Sequence, residues 1–233
     1  MPMTKDTAEY SFRLFLFSVC WMGVSAAAFM DVFVFSKKRQ DIQTATEEFN
    51  LAPSQRAAIY SSFYLGWLLG DPFFGWIADT WGRHPAVYSA TFLGLIFSMM
   101  GSMAVGPYSL FTVRLVAGIC MGGADLVAFV FMMELSKLEQ RATTASVMQM
   151  LFALGVCFAA AIAVVFPSWR QMYLVSSVPA VIFMASYFWI PESPKWLAQQ
   201  LRAGKLKGDE KLTGSNAEST GEHRHLLSLA AGG

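Results

Sequence analysis

Charged side chains are scarce in this chain. They make up 14% of its 233 residues, where a soluble domain carries about a quarter. That shortfall excludes an ordinary water-soluble globule, and a net charge of only +1 gives no electrostatic basis for a nucleic-acid partner. Cysteine and histidine are equally thin, at three each. Cys20, Cys120 and Cys157 all lie inside apolar runs, without metal-ligand spacing or an aqueous oxidising setting, and read as small packing residues. His223 and His225 are too isolated to form a metal site. No nucleophile–base pair, metal cluster or phosphate-binding loop is present. The residues therefore point to no enzyme, no metal and no organic cofactor.

What the chain has instead is apolar length. Hydrophobic residues account for 55% of it, gathered into runs of about 20, enough to cross a bilayer. The expectation is an all-α, polytopic membrane protein with six spans, at roughly 12–36, 57–79, 86–106, 109–133, 143–166 and 171–190. Residues 1–11 form a polar tail, 12–190 the transmembrane bundle, and 191–233 a second tail that starts with a short helix and is disordered from Gly208 onward. The first run is too long for a signal-peptide core and is followed by five more, so it reads as a retained helix. Arg83, Lys137, Arg141, Lys195, Arg202, Lys205 and Lys207 fall in the second loop, the fourth loop and the C-terminal tail. This predicts that both termini are cytoplasmic. Lys37, Lys38 and Arg39 in the first loop run against the pattern and are partly offset by Asp41, Glu47 and Glu48.

A few ionisable residues interrupt the spans. Asp31 sits late in the first, either facing a wet interior as a proton or cation site or lying at the outer interface. Asp71 precedes Pro72 in the second, where the proline removes a backbone hydrogen bond and is expected to kink the helix. Asp71 then serves either the freed backbone or the cavity. In the fourth span Arg114 and Asp125 are eleven residues apart, about three turns, and share a face with Gly118 and Gly122 nearby. That face is either a polar stripe on a central cavity or, for Arg114, a site from which the side chain snorkels to the headgroups. Trp169 and Arg170 mark the outer turn before the sixth span, with Trp169 an interface anchor.

The most specific pattern is Gly75-x-x-x-Asp79-x-x-Gly82-Arg83, in the short turn between the second and third runs. Asp79 and Arg83 are four residues apart and able to pair on one helical turn. This resembles the loop signature of the major facilitator superfamily. His84 departs from it, standing where the family has a second permanent cation. The fourth run, Arg114 followed by Gly118, Gly122 and Gly123, is similar to the family's fourth helix. Glu134 and Arg141, seven residues apart, match the sugar-porter and organic-ion branches, although Lys137 replaces the usual proline between them. Pro191-Glu-Ser-Pro-Lys-Trp-Leu197 resembles the segment after the sixth helix of those branches, with Lys195 for the usual arginine. The fifth run lacks the Gly-Pro-Gly-Gly of the drug/proton antiporters.

The resemblance implies the N-terminal six-helix half of a twelve-helix carrier. It implies a substrate or proton set of Asp31, Asp71, Arg114 and Asp125, and a cytoplasmic gating network of Gly75, Asp79, Gly82, Arg83, Glu134, Arg141 and Glu192. The expected function is alternating-access transport of a small organic solute, with coupling to H+ or Na+ left open, by a truncated or half-length chain. The expected partners are that solute, the lipid bilayer, and a second transporter half or a full-length carrier. The alternative is a non-transporting membrane protein that binds and modulates a full-length carrier.

Overall fold

The computed structural model describes residues 5–35 and 44–202. Among these the regular structure is helical: α1 (Lys5–Val34), α2 (Ala45–Glu48), α3 (Pro53–Trp81), α4 (Arg83–Gly101), α5 (Pro107–Leu135), α6 (Arg141–Val165), α7 (Trp169–Ser176), α8 (Val178–Ala185) and α9 (Pro194–Arg202), with one 3-10 turn at Leu138–Gln140 before α6. Six segments make the bundle: α1, α3, α4, α5, α6 and the α7–α8 pair. Three stretches, Glu9–Val34, Pro107–Leu135 and Leu138–Val165, are by themselves long and apolar enough to cross a bilayer. The α3 helix has the length, at 29 residues, but its apolar run is diluted by Arg56, Asp71, Asp79 and three tryptophans.

The packing register gives the direction of each segment. Phe63, Trp67 and Phe74 of α3 meet Gly118, Gly122 and Gly123 of α5 in the same order, so α3 and α5 run parallel. Tyr10 meets Thr144, and Met22 and Ser25 meet Gly155, so α1 and α6 are parallel as well. Trp21 reaches Asp125 while Asp31 reaches Arg114, so α1 and α5 are antiparallel. These relations are those of a chain that reverses direction at each link.

Glycine makes the α3–α5 contact possible. A Cβ on Gly118 would lie 2.1 Å from the Phe63 carbonyl oxygen, and one on Gly70 2.0 Å from that of Ile119. Between helices in lipid no hydrophobic drive operates, and backbone approach at small residues supplies the packing instead. Gly75, by contrast, faces only a Leu126 methyl at 3.7 Å.

Several expectations change. Helix α1 begins at Lys5, inside the stretch read as a tail. Pro53 opens α3 as its first-turn proline, and the Gln55 side chain accepts from the Ala52 amide at 3.0 Å. Helix α3 continues through Pro72 without interruption. The sixth run is two eight-residue helices, not one span over 171–190. Pro179 has no N–H to continue the ladder, and the Ser176 and Ser177 hydroxyls both donate to the Tyr173 carbonyl, closing α7. Cys20 and Cys120 are buried, whereas Cys157 is exposed. Trp169 is fully buried rather than an interface anchor. His223, His225, the lysines of the tail after Arg202 and the first-loop cations lie outside the described residues.

Gly118→Ala is expected to lower the thermal midpoint of the purified chain in detergent, by overpacking worth about 1–3 kcal/mol. Gly75→Ala should leave it unchanged. Equal midpoints for the two variants would contradict the α3–α5 packing.

Candidate functional site

Polar groups collect at three levels along the bundle. The first lies where the C-terminal end of α1 meets the N-terminal ends of α5 and α7. Asp31 and Arg114 are both fully buried, and the Arg114 Nη2 donates to Asp31 Oδ2 at 2.6 Å and to the Ala27 carbonyl at 3.1 Å. The Tyr173 hydroxyl donates to Asp31 Oδ1 at 2.7 Å. The guanidinium lies over the Phe63 ring at 4.2 Å and the Tyr173 ring at 5.2 Å, geometry suited to cation–π attraction. Both carboxylate oxygens are thus satisfied, whereas Arg114 Nε and Nη1 are buried without a hydrogen-bond partner among the described residues. Burial of Arg114 among α1, α3 and α7 sets aside snorkelling, and Asp31 is enclosed rather than at an exposed helix end.

The second level lies about 16 Å further along α5, eleven residues on. There Asp125 and Asp71 are close enough to interact electrostatically. Each is partly exposed, yet Oδ1 of each is buried with no hydrogen-bond partner. Neither forms an ion pair among the described residues. Arg114 and Asp125 therefore do not act on one another: Arg114 is neutralised by Asp31, and the second level is acidic.

The third level closes the opposite end. Arg83 Nη1 donates to Asp79 Oδ1 at 2.5 Å, and Arg83 also faces Glu134, with Nε and Nη2 each 3.5 Å from a carboxylate oxygen. Ser193 Oγ donates to Glu134 Oε2 at 2.5 Å, and the Trp196 indole donates to the Asp79 carbonyl at 3.1 Å. Glu192 caps α4, its two oxygens accepting from the His84 amide at 3.0 and 3.2 Å. Gly82 is required twice over. Its φ is +119°, and a Cβ there would sit 2.2 Å from Glu192 Oε2. The His84 ring lies between Tyr88 and Tyr187, 4.7 Å from each. Arg141 is not drawn into this cluster: it makes no ion pair among the described residues, and its Nε lacks a partner. The 3-10 turn Leu138–Gln140 lies between Glu134 and Arg141 and leaves Arg141 as the first residue of α6. A groove of about 190 Å³, lined by Gly75, Ala78, Asp79, Arg83, Leu126 and neighbours, opens beside this level.

The sequence pattern missed Tyr173 and Phe63, because an aromatic residue in an apolar run reads as core. It also missed the clasp over the first level. Glu48 of α2 accepts from the Trp169 indole at 2.7 Å and from Arg170 at 2.5 Å, and Arg170 donates to the Ser102 carbonyl at 2.6 Å. Burial acts to raise the Glu48 pKa, but the hydrogen bonds from Arg170 and Trp169 and the charge of Arg170 together hold it below its ordinary value.

These features define a polytopic helical bundle arranged like one half of a major-facilitator fold. Residues 12–223 match the family model described as Sugar (and other) transporter, and the chain belongs to that family; it is an integral, multi-pass membrane protein. It is 33% identical over 170 residues to a Solute carrier family 22 member 15-like protein of Xenopus laevis, covering 72% of this chain and 34% of the relative. It is 32% identical over 164 residues to an Organic cation transporter protein of Drosophila melanogaster, covering 69% and 30%. Among solved structures, a double-tryptophan mutant of XylE aligns with a TM-score of 0.67 at 19% identity, over 97% of this chain and 51% of that one. The inward-open xylose transporter XylE from E. coli aligns with a TM-score of 0.65 at 21% identity, over 97% and 57%. At these identities the structural likeness is one of fold. The chain spans about a third of the length of the curated relatives it matches.

Two outcomes follow from the geometry. Asp31→Asn should destabilise the bundle by about 3–5 kcal/mol, since it leaves Arg114 buried and uncompensated, and adding Arg114→Gln should recover part of that loss. Denaturation of the single and double variants checks this, and a double variant no more stable than Asp31→Asn would contradict it. Glu48 acts in the other direction with pH. Its lowered pKa gives stability that is fully present above the ordinary glutamate range and is lost as the pH falls through the lowered value. At roughly one-third exposure the effect is at most about 1 kcal/mol. The gap in thermal midpoint between wild type and Glu48→Gln should therefore close on acidification.

Proposed function

We propose that this chain forms the N-terminal half of a secondary carrier for small organic cations, with both termini in the cytoplasm. The observation that carries the reading is the charge balance along the bundle. Arg114 is cancelled by Asp31, while among the described residues Asp71 and Asp125 have no cationic partner, each with one carboxylate oxygen buried and unbonded. Such oxygens are stabilised by a cation that enters and shares them. The Organic cation transporter protein among the relatives supports the substrate class. Asp31 is the group through which a proton would couple, since neutralising it releases Arg114. The groove beside Asp79 and Arg83 is the seat for a helix of the second half, and the Arg83–Glu134–Ser193 and Glu192–His84 contacts form the latch on the cytoplasmic side.

The test uses tetraethylammonium as probe, with the chain reconstituted alone in proteoliposomes. Saturable binding is expected, with affinity lowered at least tenfold in Asp71→Asn/Asp125→Asn and unchanged in the surface variant Glu139→Gln. No binding, or binding indifferent to the two aspartates, overturns the assignment. Co-purification with a full-length carrier, without flux of its own above empty vesicles, favours the other role, a membrane protein that docks on that carrier and modulates it.

A further inference from the structure

Helix α7 is a short lever gripped at its first turn and jointed at its last. It buries one stripe, Trp169, Met172, Tyr173 and Ser176, at helical spacing. Its first turn is gripped by Glu48, through the Trp169 indole and Arg170. Its last turn ends at Ser177, where the segment breaks, and α8 is held separately by the close approach of Pro179 and Ala180 to Gly23, 3.2 Å from a Cβ built there. Tyr173 lies one turn below Trp169, their ring centroids 6.0 Å apart. Its hydroxyl satisfies the Asp31 oxygen that Arg114 does not reach.

We propose that Tyr173 is a positioning residue that holds the Asp31 carboxylate in register with Arg114, and that the Glu48 clasp sets where Tyr173 stands, so that opening the clasp loosens the buried pair. The break at Ser177 lets α7 shift without dragging α8 and its contacts with α1. Arg114 does not oppose such a shift through Nε or Nη1, which make no hydrogen bond among the described residues that it would break. The clasp joins α2, α7 and the end of α4 through the Ser102 carbonyl. Closure at this end of the bundle is thereby sensed at the ion pair. The inference concerns the same pair that the proposed function uses, but it is read without transport, so a chain that moves no solute still decides it.

The test is infrared spectroscopy of the full chain in lipid nanodiscs, with the Asp31 carboxylate stretch isolated as the difference between wild type and Asp31→Asn. Tyr173→Phe keeps the ring and loses only the donor; it is expected to shift that band while the helical amide signal stays as in wild type. Glu48→Ala is expected to raise deuterium uptake over 169–176 several-fold and to move the Asp31 band in the same direction. The double variant should move it no further than Tyr173→Phe alone. An Asp31 band unmoved in Tyr173→Phe overturns the positioning role. Uptake that rises in Glu48→Ala without any band shift, or does not rise at all, overturns the link to the clasp. If Tyr173→Phe yields no folded protein, Tyr173 is a structural rather than a positioning residue and that role is overturned, while Glu48→Gln, at the exposed clasp, still tests the clasp by the same uptake and band shift.

Discussion

The structure depends on a full charge being held where water is excluded. Removing a carboxylate and a guanidinium from water costs several kcal/mol each, and only close contact with good hydrogen bonds returns most of it. Asp31 and Arg114 meet that condition for the carboxylate and fall short for the guanidinium, which keeps two nitrogens unbonded. The pair binds α1 to α5, and Tyr173 brings in α7. Three elements that share little other polar contact are thereby tied at one point. The energy held there is conditional on geometry, unlike the α3–α5 packing, which is fixed by backbone contact at glycine.

The bundle divides accordingly. The α3 and α5 helices approach so closely that neither can slide without a clash between main chains, so they move together. The α7–α8 segment is the reverse, two short helices with a joint between. Carriers need both kinds of part: a rigid body to rock and a local element to respond. The polar levels follow the same division. The acidic pair Asp71 and Asp125 sits on the rigid α3–α5 body, and the ion pair sits against the jointed segment.

What could be read in the sequence was what is local in it. Asp79 and Arg83 pair because they are one turn apart, and Ser193 meets the Trp196 amide at 3.4 Å for the same reason. Alternating apolar runs located the bundle, whereas the glycines of the fourth run, read as lying near a cavity-facing stripe, pack against the α3 main chain instead. The partner of Arg114 was not legible. Asp125 shares its helix and its face, whereas Asp31, 83 residues away, is the residue that meets it. Arg141 failed the other way, since correct spacing from Glu134 does not survive a 3-10 turn between them. Trp169 looked like a headgroup anchor because tryptophans beside a span usually are; the short helix α2, from the loop between α1 and α3, bonds to it instead. The break of the sixth run was hidden because Ser176, Ser177 and Pro179 are each tolerated in a membrane helix, and only their combination ends it.

The Glu192 cap on α4 bears on how the chain is made. The amide it satisfies belongs to His84, 108 residues earlier. During synthesis the turn at Gly82 leaves the ribosome long before its carboxylate exists, so the third segment enters the membrane with its first turn unsealed. Only after the sixth segment has been translated and has folded back can that end close. Assembly of this face is therefore a late event, and a nascent chain interrupted before Glu192 carries a helix terminus exposed to water and to quality control.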